Sequence, residues 1–276
     1  MWNRKLCLYV SADLDMIEKI RLIGQAGFDG VFLCWNENKP MDDYAAAALE
    51  NNLIIQSIHA PFLKAADMWG TDVEKGDAAV QELKHCLLFC AKYQVPIMVV
   101  HAFIGFNDHT PTAAGIERFG EVVETAKQYG IKIAFENTEG EEYLAALMDA
   151  FCNNPTVGFC WDTGHEMCYN HSKDMLKLYG DRLLCTHLND NLGIRDFNGE
   201  ITYIDDLHLL PFDGIADWDD IAARLKKHNF NDCLTFELNM ISKPGRHEND
   251  IYGKMAPEDY FAECYKRACR VAAKCR

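Results

Sequence analysis

Short apolar runs alternate with amphipathic stretches along the whole chain. The runs are Leu6–Ser11, Gly30–Cys34, Leu53–Ala60, Ile97–Ala102, Ile131–Asn137, Val157–Asp162, Leu183–Asn189 and Cys233–Leu238. Their near-continuous apolar character predicts parallel strands buried on both faces. Between them lie residues 13–26, 41–51, 73–93, 112–129, 141–153, 172–179, 218–227 and 257–274, each with apolar positions at helical spacing. Gly27 and Gly130 close two of these stretches, and Pro96 cannot continue a third. Eight strand-then-helix units predict an α/β fold, a (β/α)8 TIM barrel, as one domain over residues 1–276. No linker or composition break divides the chain. An open doubly wound sheet is the alternative, but no Gly-rich dinucleotide fingerprint follows the first strand.

The strand ends change the picture from a fold to a site. The third strand ends in His59, the fourth in His101, the fifth in Glu136, the sixth in Asp162 with His165 just beyond, the seventh in His187 and the eighth in Glu237. A barrel gathers these C-terminal ends around one mouth. Carboxylates alone would repel there, so a cation is expected to offset them. His with Asp and Glu is a donor set for Zn²⁺, Mn²⁺ or a similar ion. A long segment after the seventh strand, residues 190–217, breaks the rhythm and carries Asp206-Leu207-His208, two further candidate ligands over the mouth. Trp35, at the end of the second strand, could stack on a sugar or belong to the core rim. His85, His109, His171, His228 and His247 fall on helices or loops and are read as structural.

Charge and cysteine usage narrow the partners. Lys plus Arg number 27 against 42 Asp plus Glu, a formal net charge of −15. That balance disfavours nucleic acid as a partner. Twelve cysteines lie on apolar faces and helices without a CxxC pair, as expected of reduced thiols in a cytoplasmic protein. No run of eighteen apolar residues and no signal-peptide pattern is found, so a membrane partner is not expected.

The motifs SIHAPF at His59, VVHA at His101, FEN at Glu136, WDTGH at Asp162 and His165, THLND at His187, DLHLLPFDGIADW at Asp206 and His208, and FELN at Glu237 occur in this order. With them the chain resembles the xylose isomerase-like TIM-barrel superfamily. That superfamily joins sugar phosphate isomerases and epimerases with endonuclease IV-type enzymes. The resemblance implies that Glu136, Asp162, His187 and Glu237 hold one divalent metal. It also implies that Glu136 and Glu237 flank the substrate carbon and exchange its proton, and that His165 contacts substrate oxygens. Glu142 matches a substrate-contacting glutamate. An arginine expected six residues after the metal histidine is replaced by Gly193, which leaves Arg195 as the nearest candidate.

The expected activity is therefore a metal-dependent isomerisation or epimerisation of a sugar, sugar phosphate or related polyol ketone. The partner is a small-molecule carbohydrate, and a homo-oligomer is compatible with the sequence. An alternative comes from the endonuclease IV members, whose nine ligands to three zinc ions match His59, His101, Glu136, Asp162, His165, His187, Asp206, His208 and Glu237. That set would serve phosphodiester hydrolysis in abasic DNA. A metal-binding barrel without catalysis and a sugar-acid dehydratase are the remaining alternatives. Lys243 and Arg246, after the last strand, are read as loop residues or as a phosphate contact.

Overall fold

The computed structural model describes residues 4–107, 110–194 and 200–276. Strands and helices alternate as β1 (Leu6–Ser11), α1 (Met16–Ala26), β2 (Gly30–Cys34), α2 (Met41–Glu50), β3 (Ile54–His59), α3 (Val73–Lys92), β4 (Ile97–His101), α4 (Ala113–Tyr129) and β5 (Lys132–Glu136). They continue as α5 (Glu141–Ala150), β6 (Val157–Asp162), α6 (Thr163–Met167), α7 (Met175–Tyr179), β7 (Leu183–His187), α8 (Trp218–Lys227), β8 (Leu234–Asn239) and α9 (Pro257–Lys274). All strand pairs are parallel, in the order β7-β6-β5-β4-β3-β2-β1-β8. The barrel is nearly closed. At the seam between β7 and β8, the backbone N–H of Leu188 donates to Thr235 O at 2.8 Å, and Thr235 N–H donates to Thr186 Oγ1 at 3.2 Å. A threonine hydroxyl thus stands in for a missing ladder bond.

Helix ends follow local chemistry. Asp15, Asp72, Thr112, Asp174 and Asp217 each accept backbone N–H groups at the start of α1, α3, α4, α7 and α8. Such caps contribute about 1 kcal/mol each. Gly27 closes α1 with φ 105° and Gly130 closes α4 with φ 70°, a left-handed conformation that costs glycine nothing.

Two core layers result. Side chains facing outward from the strands pack against the helices, with Phe119, Phe135, Phe159, Phe236, Tyr260 and Phe261 almost fully buried. Ile97, Val99, Ala134, Cys160 and Cys185 form a separate buried cluster. Strand alternation puts Val99, Ala134, Cys160 and Cys185 on the same face as His101, Glu136, Asp162 and His187, two residues further along each strand. The barrel interior is thus an apolar plug capped by a polar layer. All twelve cysteines are unpaired, and among the described residues no helix is long and apolar enough to cross a membrane.

Candidate metal centre at the barrel mouth

Strand register puts the polar strand ends at one height. His101 pairs with Glu136 across β4 and β5, Asp162 with His187 across β6 and β7, and Glu237 with Tyr9 across β8 and β1. Glu136 is the hub. Its Oε2 lies 3.3 Å from His59 Nε2 and 3.2 Å from His101 Nε2, while its Oε1 lies 2.7 Å from His187 Nδ1 and 3.7 Å from His165 Nδ1. His187 Nδ1 is also 3.0 Å from Glu237 Oε2. On the far side of His165, Nε2 lies 3.5 Å from Asp206 Oδ1, and His208 Nε2 lies 2.8 Å from Asp206 Oδ2.

All nine strand-end and loop residues singled out in the sequence as candidate ligands are therefore brought together. Their donor atoms fall into three groups, each with its members within 4.8 Å of one another. The groups are His59, His101 and Glu136; Glu136, Asp162, His187 and Glu237; and His165, Asp206 and His208. Cys160, one layer down, joins Glu136 and His187 in a fourth such group. The other site candidates do not join these groups. Trp35 is 9% exposed and packs within the hydrophobic core. Glu142 stands exposed in the first turn of α5 and lines a cleft of about 740 Å³ together with Tyr169, whose ring centroid is 5.0 Å from that of His165. Arg195 and His109 lie outside the described residues. Lys243 and Arg246 turn back on the protein. Lys243 Nζ is 3.7 Å from Asp206 Oδ2, and Arg246 pairs with Glu248 at 2.8 Å.

The WDTGH segment does more than end a strand. Asp162 is the N-cap of α6, and its Oδ1 accepts the His165 backbone N–H at 2.7 Å. That cap starts the turn that swings His165 over Glu136. Asn137 holds the Asp162 backbone from both sides, accepting its N–H at 2.8 Å and donating to its carbonyl at 2.8 Å. Asp206 and His208 arrive from a segment pinned by Asp190, whose carboxylate accepts the N–H groups of Asn191, Phe212 and Ala216 and the Trp218 indole, all at 2.9 Å. His208 itself adopts φ 49°, a strained conformation for a residue with a side chain.

Charge in this layer is strongly coupled. Burial disfavours the ionised form of Glu136, yet His187, His101 and His59 overcome it and hold its carboxyl well below the usual range. Burial likewise opposes the charged form of His187, but Glu136 and Glu237 hold its imidazole well above its ordinary value. His165 is raised in the same way by Asp162 and Asp206 against burial, and His208 is raised to about 9 against burial by Asp206 and Glu237. Asp162 is pushed up to about 6, chiefly by burial. Glu237 is held at about 2, where His187 and His208 outweigh its desolvation.

The donor set fits a divalent cation. Glu136 Oε2, His165 Nδ1 and Asp206 Oδ1, which face the other candidate ligands, are all buried without a hydrogen-bond partner. Buried polar atoms are rarely left so, and a cluster of them among carboxylates and imidazoles is what a metal would satisfy. Without one, protons on the imidazoles must balance the carboxylates.

Sequence reasoning missed the supports of this layer. Asn137, Asn189 and Asp190 are each the immediate or near neighbour of a candidate ligand in FEN and THLND, and their fully buried positions mark them as part of the site. In the sequence Phe32 is one apolar residue of the second strand. Its ring stacks on His187 at 4.6 Å and 17°, fixing the imidazole plane.

Comparison with known proteins agrees with the geometry. Among curated relatives, an uncharacterised protein, y4fM, of Sinorhizobium fredii is 30% identical over 178 residues, which are 59% of this chain and 53% of that protein. The chain thus matches about half the length of that relative. An inosose isomerase of Bacillus licheniformis is 24% identical over 255 residues, 85% of this chain and 88% of that one. Among solved structures, a zinc-bound IolI protein superposes with a TM-score of 0.75 at 20% identity, covering 99% of both chains. A D-psicose 3-epimerase from Clostridium cellulolyticum H10 does so with 0.68 at 14% identity, covering 97% of this chain and 98% of that one. The model of the xylose isomerase-like TIM barrel family matches residues 20–274, nearly the whole barrel with every strand end described above except β1, and the chain belongs to that family.

Proposed function

We propose that the protein is a divalent-metal-dependent isomerase or epimerase of a sugar, sugar phosphate or related polyol ketone. The reaction is a proton transfer at the carbon beside a carbonyl. The observation that carries this reading is the convergence of Glu136, Asp162, His187 and Glu237 within 4.8 Å, with two carboxylates sharing His187 Nδ1. The inosose isomerase relative and the sugar epimerase fold neighbours support it.

Glu136, Asp162, His187 and Glu237 would hold the ion. Bound there, a divalent cation supplies polarisation of a carbonyl and offsets the charge that builds up beside it. The protein supplies the rest. Glu237 is the more accessible carboxylate, with a side chain 17% exposed against 0% for Glu136. As an ionised and partly exposed carboxylate beside His187, it is placed to accept the carbon-bound proton. Glu136 is ionised in the resting site, and it can return a proton to carbon once it has drawn one from solvent or from the His59 and His101 imidazoles that face its Oε2. His165, whose Nδ1 lies 3.7 Å from Glu136 Oε1, stands beside the ligand group where its imidazole can meet a substrate oxygen. The test is solvent exchange: incubation with a panel of ketoses and inososes in D₂O, with Zn²⁺ or Mn²⁺. Deuterium is expected at a carbon beside the carbonyl of at least one substrate, and its absence across the panel defeats the reading.

A second reading rests on the gathering of all nine candidate ligands into three groups. Three ions there would suit phosphodiester hydrolysis of abasic DNA. Elemental analysis and cleavage of an abasic duplex distinguish it, and three metals with cleavage would reverse the ranking. The net charge of −15 weighs against that partner.

A further inference from the structure

We infer that Asn189 is a positioning residue for the metal centre, holding the Asp162 carboxylate in one rotation through a contact that Gly164 exists to admit. This rests on the proposal that Asp162 is a metal ligand.

Asn189 is fully buried two residues past the end of β7. Its Nδ2 donates to Asp162 Oδ2 at 2.9 Å. The other Asp162 oxygen accepts the His165 N–H at 2.7 Å. The two contacts come from different segments, the loop after β7 and α6, and each claims one lone pair on a different oxygen. The carboxylate plane is thereby fixed, and the remaining lone pairs are presented to the mouth.

Three observations separate this role from ordinary packing. First, Asn189 Oδ1 is buried and has no hydrogen-bond partner. Turning the amide over would place that oxygen against Asp162 Oδ2, acceptor on acceptor. The amide orientation therefore serves Asp162 and leaves its own acceptor unsatisfied. Second, a Cβ at position 164 would overlap Asn189 Oδ1. Gly164 has no positive φ, so its lack of a side chain answers to this approach and not to backbone conformation. Third, the backbone of Asn189 is itself locked to the same segment. Thr163 Oγ1 donates to Asn189 O at 2.7 Å and accepts Asn189 N–H at 2.9 Å. Thr163, Gly164 and Asn189 thus form one device around the ligand Asp162. Groups that orient a ligand from behind typically change metal affinity by about 10- to 100-fold when removed.

The test is a Co²⁺ titration of the metal-free protein followed by visible absorption. It compares the parent with Asn189→Leu, which keeps the branched shape but removes the donor, with Gly164→Ala, which pushes the amide away, and with the double variant. Both single variants should bind Co²⁺ about 10- to 100-fold more weakly and show an altered band envelope. The double variant should lose little more than the weaker-binding single one, because both changes break one contact. The metal-free Asn189→Leu protein should still unfold cooperatively. Unchanged affinity and spectrum in the variants, or losses that add in full, would overturn the inference. So would weaker binding with an unchanged band envelope, the signature of general loosening. If the parent itself fails to take up Co²⁺, the metal reading falls and this inference with it. Parent binding with unaffected variants removes this inference alone.

Discussion

Arg224 on α8 grips Glu166 on α6 with two nitrogens, at 2.7 Å to Oε1 and 2.7 Å to Oε2, one residue beyond His165. The Trp161 indole and the Met175 N–H also donate to Glu166 Oε2, and the guanidinium sits 4.5 Å over the Trp161 ring. A buried charge pair is thereby placed directly behind the segment that carries Asp162 and His165. Burial raises the Glu166 carboxyl despite the arginine, so the pair is costly to break. Arg224→Met should destabilise the protein by about 3 kcal/mol, since it strands a buried carboxylate. Adding Glu166→Gln should recover part of the loss. Urea unfolding of the two variants checks this, and a double variant no more stable than the single one would contradict it.

Glu136 has no side-chain exposure and faces four imidazoles, so it is the residue whose charge the site can least do without. Glu136→Gln keeps the shape and removes the charge. Turnover, read as deuterium incorporation on the best substrate of the panel, should fall by about 10²–10⁴-fold. Divalent ion affinity should fall with it. A variant that still exchanges the proton at the parent rate would exclude Glu136 from the reaction.

The metal-free protein should be most stable on the acid side of neutrality. His208 is raised to about 9 in the folded state, above its ordinary value of about 6.5. Its contribution is complete below about pH 6.5 and is lost as pH rises through 9, an effect of up to about 3 kcal/mol. Asp162, pushed up to about 6, works in the same direction, because its folded form prefers the proton. Glu237, held at about 2, gives the opposite limb: its contribution is present above about pH 4.3 and is lost as pH falls through 2. Thermal unfolding without metal should therefore show a maximum near pH 4–5 and a decline toward pH 9. Zn²⁺ or Mn²⁺ should reverse the alkaline decline, since ligating imidazoles must be neutral, and binding should release protons. Calorimetry in buffers of different ionisation heat measures that release. A flat profile from pH 6 to 9 would contradict the coupling.

Much of this was legible in the chain itself. β2, β6, α8 and α9 have the bounds their apolar spacing predicts, because buried parallel strands and long amphipathic helices leave strong periodic signals. The nine candidate ligands were also legible, since a charged residue ending an apolar run is conspicuous. α6 was not. Five residues are too few to show helical spacing, and Thr163–Met167 is helical because Asp162 caps it. The predicted helix over 172–179 is shorter in the structure, where α7 begins only at Met175 after the Asp174 cap. Asn189 and Asp190 stood in plain view beside His187, but an Asn or Asp after a strand usually signals a turn. Only three-dimensional contacts with Asp162, and with the distant N–H groups of Phe212 and Ala216, give them work.

The placement of the loop candidates Asp206 and His208 depends on Asp190. It is fully buried and accepts four donors with two oxygens, three of them from residues 212–218. Its backbone pairs with Leu209 in both directions at 2.9 Å, and a Cβ at Gly214 would overlap its carboxylate. The segment that delivers Asp206 and His208 is thus wrapped around this one side chain. Asp190→Asn is nearly isosteric but turns an NH₂ group toward donors that need an acceptor. Leaving one or two of them unmet should cost about 3 kcal/mol. The loss should be local before it is global. Amide exchange at Leu209, Phe212 and Ala216 should rise well above that of the β4 and β5 amides, because the barrel strands do not rely on Asp190. Turnover should fall as His208 loses its place beside Asp206, while the Glu136, Asp162, His187 and Glu237 group still takes up one ion. Uniform exchange across loop and barrel in the variant would show that Asp190 supports the fold as a whole and not the loop ligands in particular.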